Sequence, residues 1–269
     1  MTEHRQDEVE HRWSEYERLA AEARLHPGYV EYERIAALAR MTRIMRTNHN
    51  ELMALLEHAR TDAEFAGIIA SNTPAFAAKR DDVYGEITRR LLNFLNGAAS
   101  LVDHVRIIMK DRTSSVATAH RERVDEFVKD GSWSFVRDLR NLVHHVRLPF
   151  LGHHASFGRN PTGGLVMTNA IVQLDRSDLL QWRGWKPEAE RYLLACPDEI
   201  ALQPLMQRVG DALGDLHVRL HGELQDENRP ARRAVNEIIT RAHAQLHGGD
   251  EEQARRFLED FHGVTVDEL

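Results

Sequence analysis

Apolar residues along the chain recur at helical rather than alternating spacing. The clearest run is Tyr84–Lys110. There Ile87, Leu91, Phe94, Ala98, Leu101, Val105 and Ile108 advance by alternating steps of four and three, the spacing of a single helix face. This predicts a core helix of a bundle, and its heptad-like seam also suits packing on a second copy of the chain. Tyr32–Arg60 reads as another long helix, on Ile35, Leu38, Met45, Leu52, Leu55 and Leu56. Met1–Tyr29 is expected to be partly helical, with a break at His26-Pro27-Gly28. Thr61–Pro74 reads as a connection, since Ser71-Asn72-Thr73-Pro74 is a breaker cluster. Ser115–Lys129 carries Val116, Val124, Phe127 and Val128 and predicts a shorter helix. Asp130-Gly131-Ser132 is a turn, with Ser132 as N-cap of the next helix, which must end before Pro149.

The texture then changes. His154–Gly158, the turn Asn160–Gly164 and Leu165–Leu174 predict a β-hairpin. An isolated hairpin is marginal, so it must pack on helices. Ser177–Trp182 reads as one helical turn. Gln203–Gln225 predicts a helix with Pro204 in its first turn and a stripe of Leu205, Val209, Leu213, Leu216, Leu220 and Leu224. Arg229–His247 predicts a last long helix, and Asp250–Leu269 a short helix with a loose tail. The expected fold is mainly α: an up-and-down helical bundle with an inserted β-hairpin. Its expected parts are an N-terminal helical extension (1–30), the bundle (31–225, hairpin 152–175) and a C-terminal helix with a charged tail (226–269).

Composition narrows the function classes. The net charge is −7, which disfavours wholesale duplex binding but leaves room for a local basic face. The lone cysteine, Cys196, rules out an intramolecular disulfide and a cysteine zinc cluster and fits a reducing compartment. The hydrophilic start MTEHRQDEVEHRW has no apolar segment of a secretory leader, and no apolar run reaches the ~18 residues of a membrane span. A cytoplasmic location without membrane partners is expected.

One segment reverses the overall charge. In SWSFVRDLRNLVHHVRLP, Phe135, Val136, Leu139, Leu142, Val143 and Val146 fall on one face of a helix at about 100° per residue. Arg137, Asp138, Arg140, Asn141, His144, His145 and Arg147 fall opposite: three arginines and two histidines with one acid. A solvated basic face is the bland alternative. Arg140-Asn141-Leu142-Val143-His144-His145, however, resembles the Arg-x4-His motif of the HEPN superfamily, with the polar residue after the arginine that many members carry. The preceding LLNFLNGAASLVDH and this helix together resemble uncharacterised bacterial proteins with a HEPN-like core, over roughly 82–151. The resemblance implies a four- or five-helix bundle and a metal-independent ribonuclease. It also implies an active site composed across a dimer axis and a role in phage defence or a toxin–antitoxin system. RNA, a second copy, and an antitoxin or defence-system protein are the implied partners.

The chemistry suits these residues. Cleavage by the RNA 2′-OH needs a proton acceptor, a proton donor for the leaving 5′-oxygen, and a cation for the phosphorane. Histidine, with an unperturbed pKa of about 6.5, moves protons, and arginine binds phosphate bidentately. Arg140, His145 and Asn141 are the expected catalytic residues; Arg137, His144 and Arg147 are expected to bind substrate. The family pattern selects His145. Spacing leaves His144 open, since Arg140 and His144 are i, i+4 whereas Arg140 and His145 lie about 140° apart. Some HEPN toxins carry a tyrosine two residues after the histidine that a nucleotidyltransferase modifies. Here that position is Arg147, so silencing by that route is not expected.

No metal and no cofactor are expected. His144, His145, His153 and His154 cluster, but Pro149 and Gly152 separate the pairs. Asp103-His104 reads as a surface pair, Gly163-Gly164 as a hairpin turn, and Trp182, Trp185 and Tyr192 as a plug between bundle and hairpin. The rival function is a non-catalytic HEPN-like subunit that binds RNA, nucleotide or another protein.

Overall fold

The computed structural model describes residues 3–71, 73–149, 151–159 and 164–262. The protein is mainly α with a small antiparallel sheet, as the hydrophobic periodicity predicts. In chain order the elements are α1 (Glu3–Leu25), α2 (Pro27–Thr61), α3 (Ala63–Ala70), α4 (Pro74–Met109), α5 (Ser115–Val128) and α6 (Ser132–His145). These are followed by β1 (Leu151–Arg159), β2 (Leu165–Asp175), α7 (Arg176–Leu179), α8 (Pro187–Ala195), β3 (Glu199–Ala201), α9 (Leu202–Leu246) and α10 (Glu251–His262). The sheet order is β1-β2-β3. Asn160–Gly163 of the expected hairpin turn, and the expected loose tail from Gly263, lie outside the described residues. Among the described residues no helix is long and apolar enough to cross a membrane.

Two compact units divide the chain: one of Met1–Ala37 with Leu220–Leu269, the other Leu38–Arg219. The segments expected as an N-terminal extension and a C-terminal helix thus fall in one unit. Its core is Leu19, Ala23, Val235, Ile238 and Ala242. Gly28 lies against Ala231, where a Cβ would come within 2.6 Å of the carbonyl oxygen, and Asn228 donates to the Gly28 carbonyl.

Several elements differ from the sequence expectations. Pro74 is not a terminator but occupies the first turn of α4, where its missing N–H costs nothing. The expected connection Thr61–Pro74 contains α3, because the Asp62 side chain accepts the Phe65 N–H at 2.7 Å and Ala66 and Ile69 are buried. α3 packs against both strands and α4. The two helices expected at 203–225 and 229–247 are one, α9, running through Pro230; a proline removes one helix hydrogen bond, and burial of Leu224, Val235 and Ile238 on either side of it offsets the loss. α8 and β3 carry too little periodicity to announce themselves. The heptad-like seam of α4 is buried from Ile87 to Ile108 within the chain itself, so it is core and leaves no stripe for a second copy.

The larger unit also encloses histidines. His217 is 2% exposed, and its Nδ1–H donates to the Leu213 carbonyl at 2.6 Å; His120 stands 6.3 Å away, ring to ring. His49 is buried, with Nε2 donating to the Met206 carbonyl, and Gly210 lets its ring lie directly on α9.

Two outcomes follow from this packing. Gly210→Ala, which in an exposed helix would stabilise by up to ~1 kcal/mol, places a methyl inside the His49 ring and should instead cost roughly 1–3 kcal/mol, read as a lowered Tm. Burial pushes His217 down to about 4; the Leu213 carbonyl opposes this and His120 adds to it. Because the folded value lies below the unfolded one, stability is fully present above about pH 6.5. It falls as pH drops towards 4, by on the order of 3 kcal/mol. Denaturant titrations at pH 7 and pH 4.5 should show this loss, and His217→Asn should shrink it; an equal loss in the variant would refute the assignment.

Candidate functional site at the end of helix α6

The first two turns of α6 are built into the core. Gly131 enters the helix with φ 78°, a left-handed conformation natural to glycine, and the Asp130 carboxylate accepts from both the Ser132 N–H and hydroxyl. Ser132 is therefore the first helical residue and Gly131 the cap, one position earlier than the sequence implies. Phe135 is fully buried, with its ring stacked on Trp185 at 5.3 Å and on Tyr192 at 5.6 Å. The aromatics do form a plug, but it fastens α6 to α8 and the segment before it rather than the bundle to the hairpin.

Asp138 corrects the helical-wheel reading. It is 1% exposed rather than solvent-facing. One carboxylate oxygen accepts the backbone N–H of Lys186 at 2.8 Å and the other faces Arg137 Nε at 3.4 Å. The acid of the polar face has thus been drawn inward, and the exposed end of α6 carries cations and imidazoles. The helix stops when Val146 and Arg147 both donate to the Leu142 carbonyl.

The six expected site residues divide into two groups. Arg137 is tied to Asp138. Arg147 clamps α7, one nitrogen on the Asp178 carboxylate and another on its carbonyl, each at 2.7 Å. His144 donates from Nε2 to the Asn96 side-chain oxygen on α4 at 2.6 Å. These three, expected to bind substrate, are engaged in holding the fold. Arg140, Asn141 and His145, expected to be catalytic, make no hydrogen bond or ion pair with a described residue. The Nε of Arg140 is buried without a partner, and His145 is exposed beside His144, ring centroids 6.2 Å apart. Arg140 and His145 leave the helix in different directions, as their i, i+5 spacing dictates. One protomer therefore presents them side by side around Asn141 rather than stacked.

The His144 imidazole is held below its ordinary range, first by loss of hydration, then by the positive Arg140 and by His145. Asn96 was missed in the sequence reading. Its signal was a polar residue inside LLNFLNG, next to the buried seam of α4. Asp103 and His104 are exposed, with Asp103 paired to Arg106, and they take no part. Among the described residues no group of three or more His, Cys, Asp or Glu is placed to hold a metal ion.

No protein-family model matches the chain, and no curated protein or solved structure matches it.

The electrostatic arrangement can be read directly. Replacing Arg140 with Met should raise the His144 pKa in a ring-resolved NMR titration, since a neighbouring cation that disfavours imidazolium has been removed. An unmoved His144 midpoint would place Arg140 too far away to matter.

Proposed function

We propose that the chain is a metal-independent, HEPN-like endoribonuclease that acts as a homodimer, in phage defence or a toxin–antitoxin system. The observation that carries this reading is the division within α6. Arg137, Asp138, His144 and Arg147 are all engaged, while Arg140, Asn141 and His145, at the open end, make no hydrogen bond or ion pair with a described residue. A half-buried guanidinium with an unsatisfied N–H is poised for an anion, and a phosphate supplies acceptor oxygens in the matching fork geometry. His145 offers an exposed imidazole at the same end of the helix.

In this mechanism the RNA 2′-oxygen loses its proton to one histidine and attacks the adjacent phosphorus. The Arg140 guanidinium takes up the charge of the five-coordinate phosphorane. A second histidine protonates the departing 5′-oxygen, leaving a 2′,3′-cyclic phosphate and a 5′-hydroxyl. Each protomer offers one unengaged histidine on α6, so two copies complete the pair. With the α4 seam buried inside the protomer, the exposed Val146 next to His145 is the apolar surface for that contact.

The same count favours one alternative. A protomer acting alone, with one free histidine and one free arginine, is equipped to bind a phosphate rather than to cleave its ester. It would then serve as an RNA- or nucleotide-binding, or protein-interaction, subunit.

Cleavage of single-stranded RNA by the full chain in EDTA separates the two. The wild type should cut, and His145→Ala should lose about 10²–10⁴-fold with Tm nearly unchanged, an exposed truncation shifting stability by only about ±0.5 kcal/mol. Arg140→Lys should not restore Arg140→Ala fully, because the fork is lost. A wild type that binds RNA but never cuts it, or a His145→Ala variant that cuts equally well, would sink the nuclease reading and leave the binding module.

A further inference from the structure

A concave site lies elsewhere in the same unit, where the first half of α4 meets the base of the hairpin. It is a cleft of about 480 Å³, in the size range of small-molecule sites. Arg80 and Tyr84, one helical turn apart, form one side, and His153 stands across from them with its Nδ1 3.0 Å from the Tyr84 hydroxyl. Leu151 and Leu174 contribute apolar surface, and Gln173, Asp175 and Glu199 supply an amide and two carboxylates. β3 brings Glu199 opposite Asp175 in the strand register, which places the two acids together.

This cleft is continuous with the end of α6. A shallower groove shares Tyr84 and Leu151 with it and runs over Arg147, Leu148 and Pro149, the residues that follow His145 and Val146. A strand seated on Arg140 and His145 therefore has a marked path that leads past Tyr84 into the cleft.

We propose that the cleft takes the base of a nucleotide flanking the scissile phosphate, and that it selects guanine. This rests on the ribonuclease reading for the word flanking, but the site itself does not. Two acids against one cation exclude a run of phosphates from the cleft, so the group it accepts is a base rather than backbone. The phenol and imidazole offer flat surfaces for stacking, as single-stranded RNA recognition uses them. A carboxylate is an acceptor only. Guanine presents two adjacent donors, N1–H and the N2 amino group, to one carboxylate in a bidentate bond. Uracil presents one donor flanked by two carbonyl oxygens, which a carboxylate repels.

The test uses the full chain and two probes, guanosine and uridine 5′-monophosphate, with the His153 ring followed by NMR. Guanosine monophosphate should shift the His153 resonances in a saturable way, uridine monophosphate should bind at least tenfold more weakly, and Glu199→Gln should weaken guanosine monophosphate about tenfold. Cleavage sites of the wild type mapped on a mixed-sequence RNA should then carry guanine at one fixed position next to the cut. His153 unmoved by either probe, or equal response to both, overturns the proposal even if the protein cuts RNA. Saturable guanosine binding in a protein that cuts nothing upholds the base site while the nuclease reading fails. Cuts without a guanine preference, in a protein that binds guanosine monophosphate, overturn the link between cleft and cleavage.

Discussion

The buried carboxylate of Asp138 fixes the arrangement on which the candidate site depends. A carboxyl group with almost no solvent contact is tolerated only when its oxygens are matched by donors. Here they are: the backbone N–H of Lys186 holds one, and Arg137 lies beside the other. That bond pins the start of α8 to α6, and Trp185 and Tyr192 then close over Phe135. The same bond changes the electrostatics further along the helix. With its acid turned inward, the last turns of α6 have no carboxylate of their own to neutralise Arg140.

From there the other charged groups find partners in order. Arg147 folds back onto Asp178 and anchors the chain as it leaves the helix; His144 reaches across to Asn96 on α4. Both contacts tie the end of α6 to its neighbours. They also engage two residues that look reactive in sequence. Arg140, Asn141 and His145 are what is left, on a scaffold held from both sides. A site on a helix held in this way keeps its side chains in a narrow range of positions.

The hairpin has a comparable double role. Its inner residues Ala170, Val172 and Leu174 are buried and α3 covers it, which supplies the packing that two strands alone lack. Its base, with the short β3, also gathers His153, Asp175 and Glu199 opposite Arg80 and Tyr84. Apart from His153, none of these residues stands out in the sequence, and the set as a whole does not, because its members come from four separate elements and share no spacing.

The sequence by itself determined the helices and their buried faces. The seam of α4, the stripe of α2 and the apolar face of α6 are all read from the period of 3.6, because burial acts on whole faces and leaves a periodic trace. The break at Pro27, the end of α6 before Pro149 and the hairpin are legible for the same local reason: backbone restrictions of single residues. Arg140, Asn141 and His145 were legible as a motif. What only the tertiary structure decided is which polar groups find partners. A helical wheel places Asp138 with the arginines and cannot register that Lys186, 48 positions on, offers it a buried N–H. Nor can it register that Asn96 takes His144, or Asp178 takes Arg147. The α4 seam was legible as a core face, but that it leaves no stripe for a second copy was decided only by packing, since both arrangements produce the same heptad spacing. Hydrogen bonds and ion pairs join residues distant in the chain at single points. They leave no period to read, so the division between engaged and free groups appears only once the helices are packed.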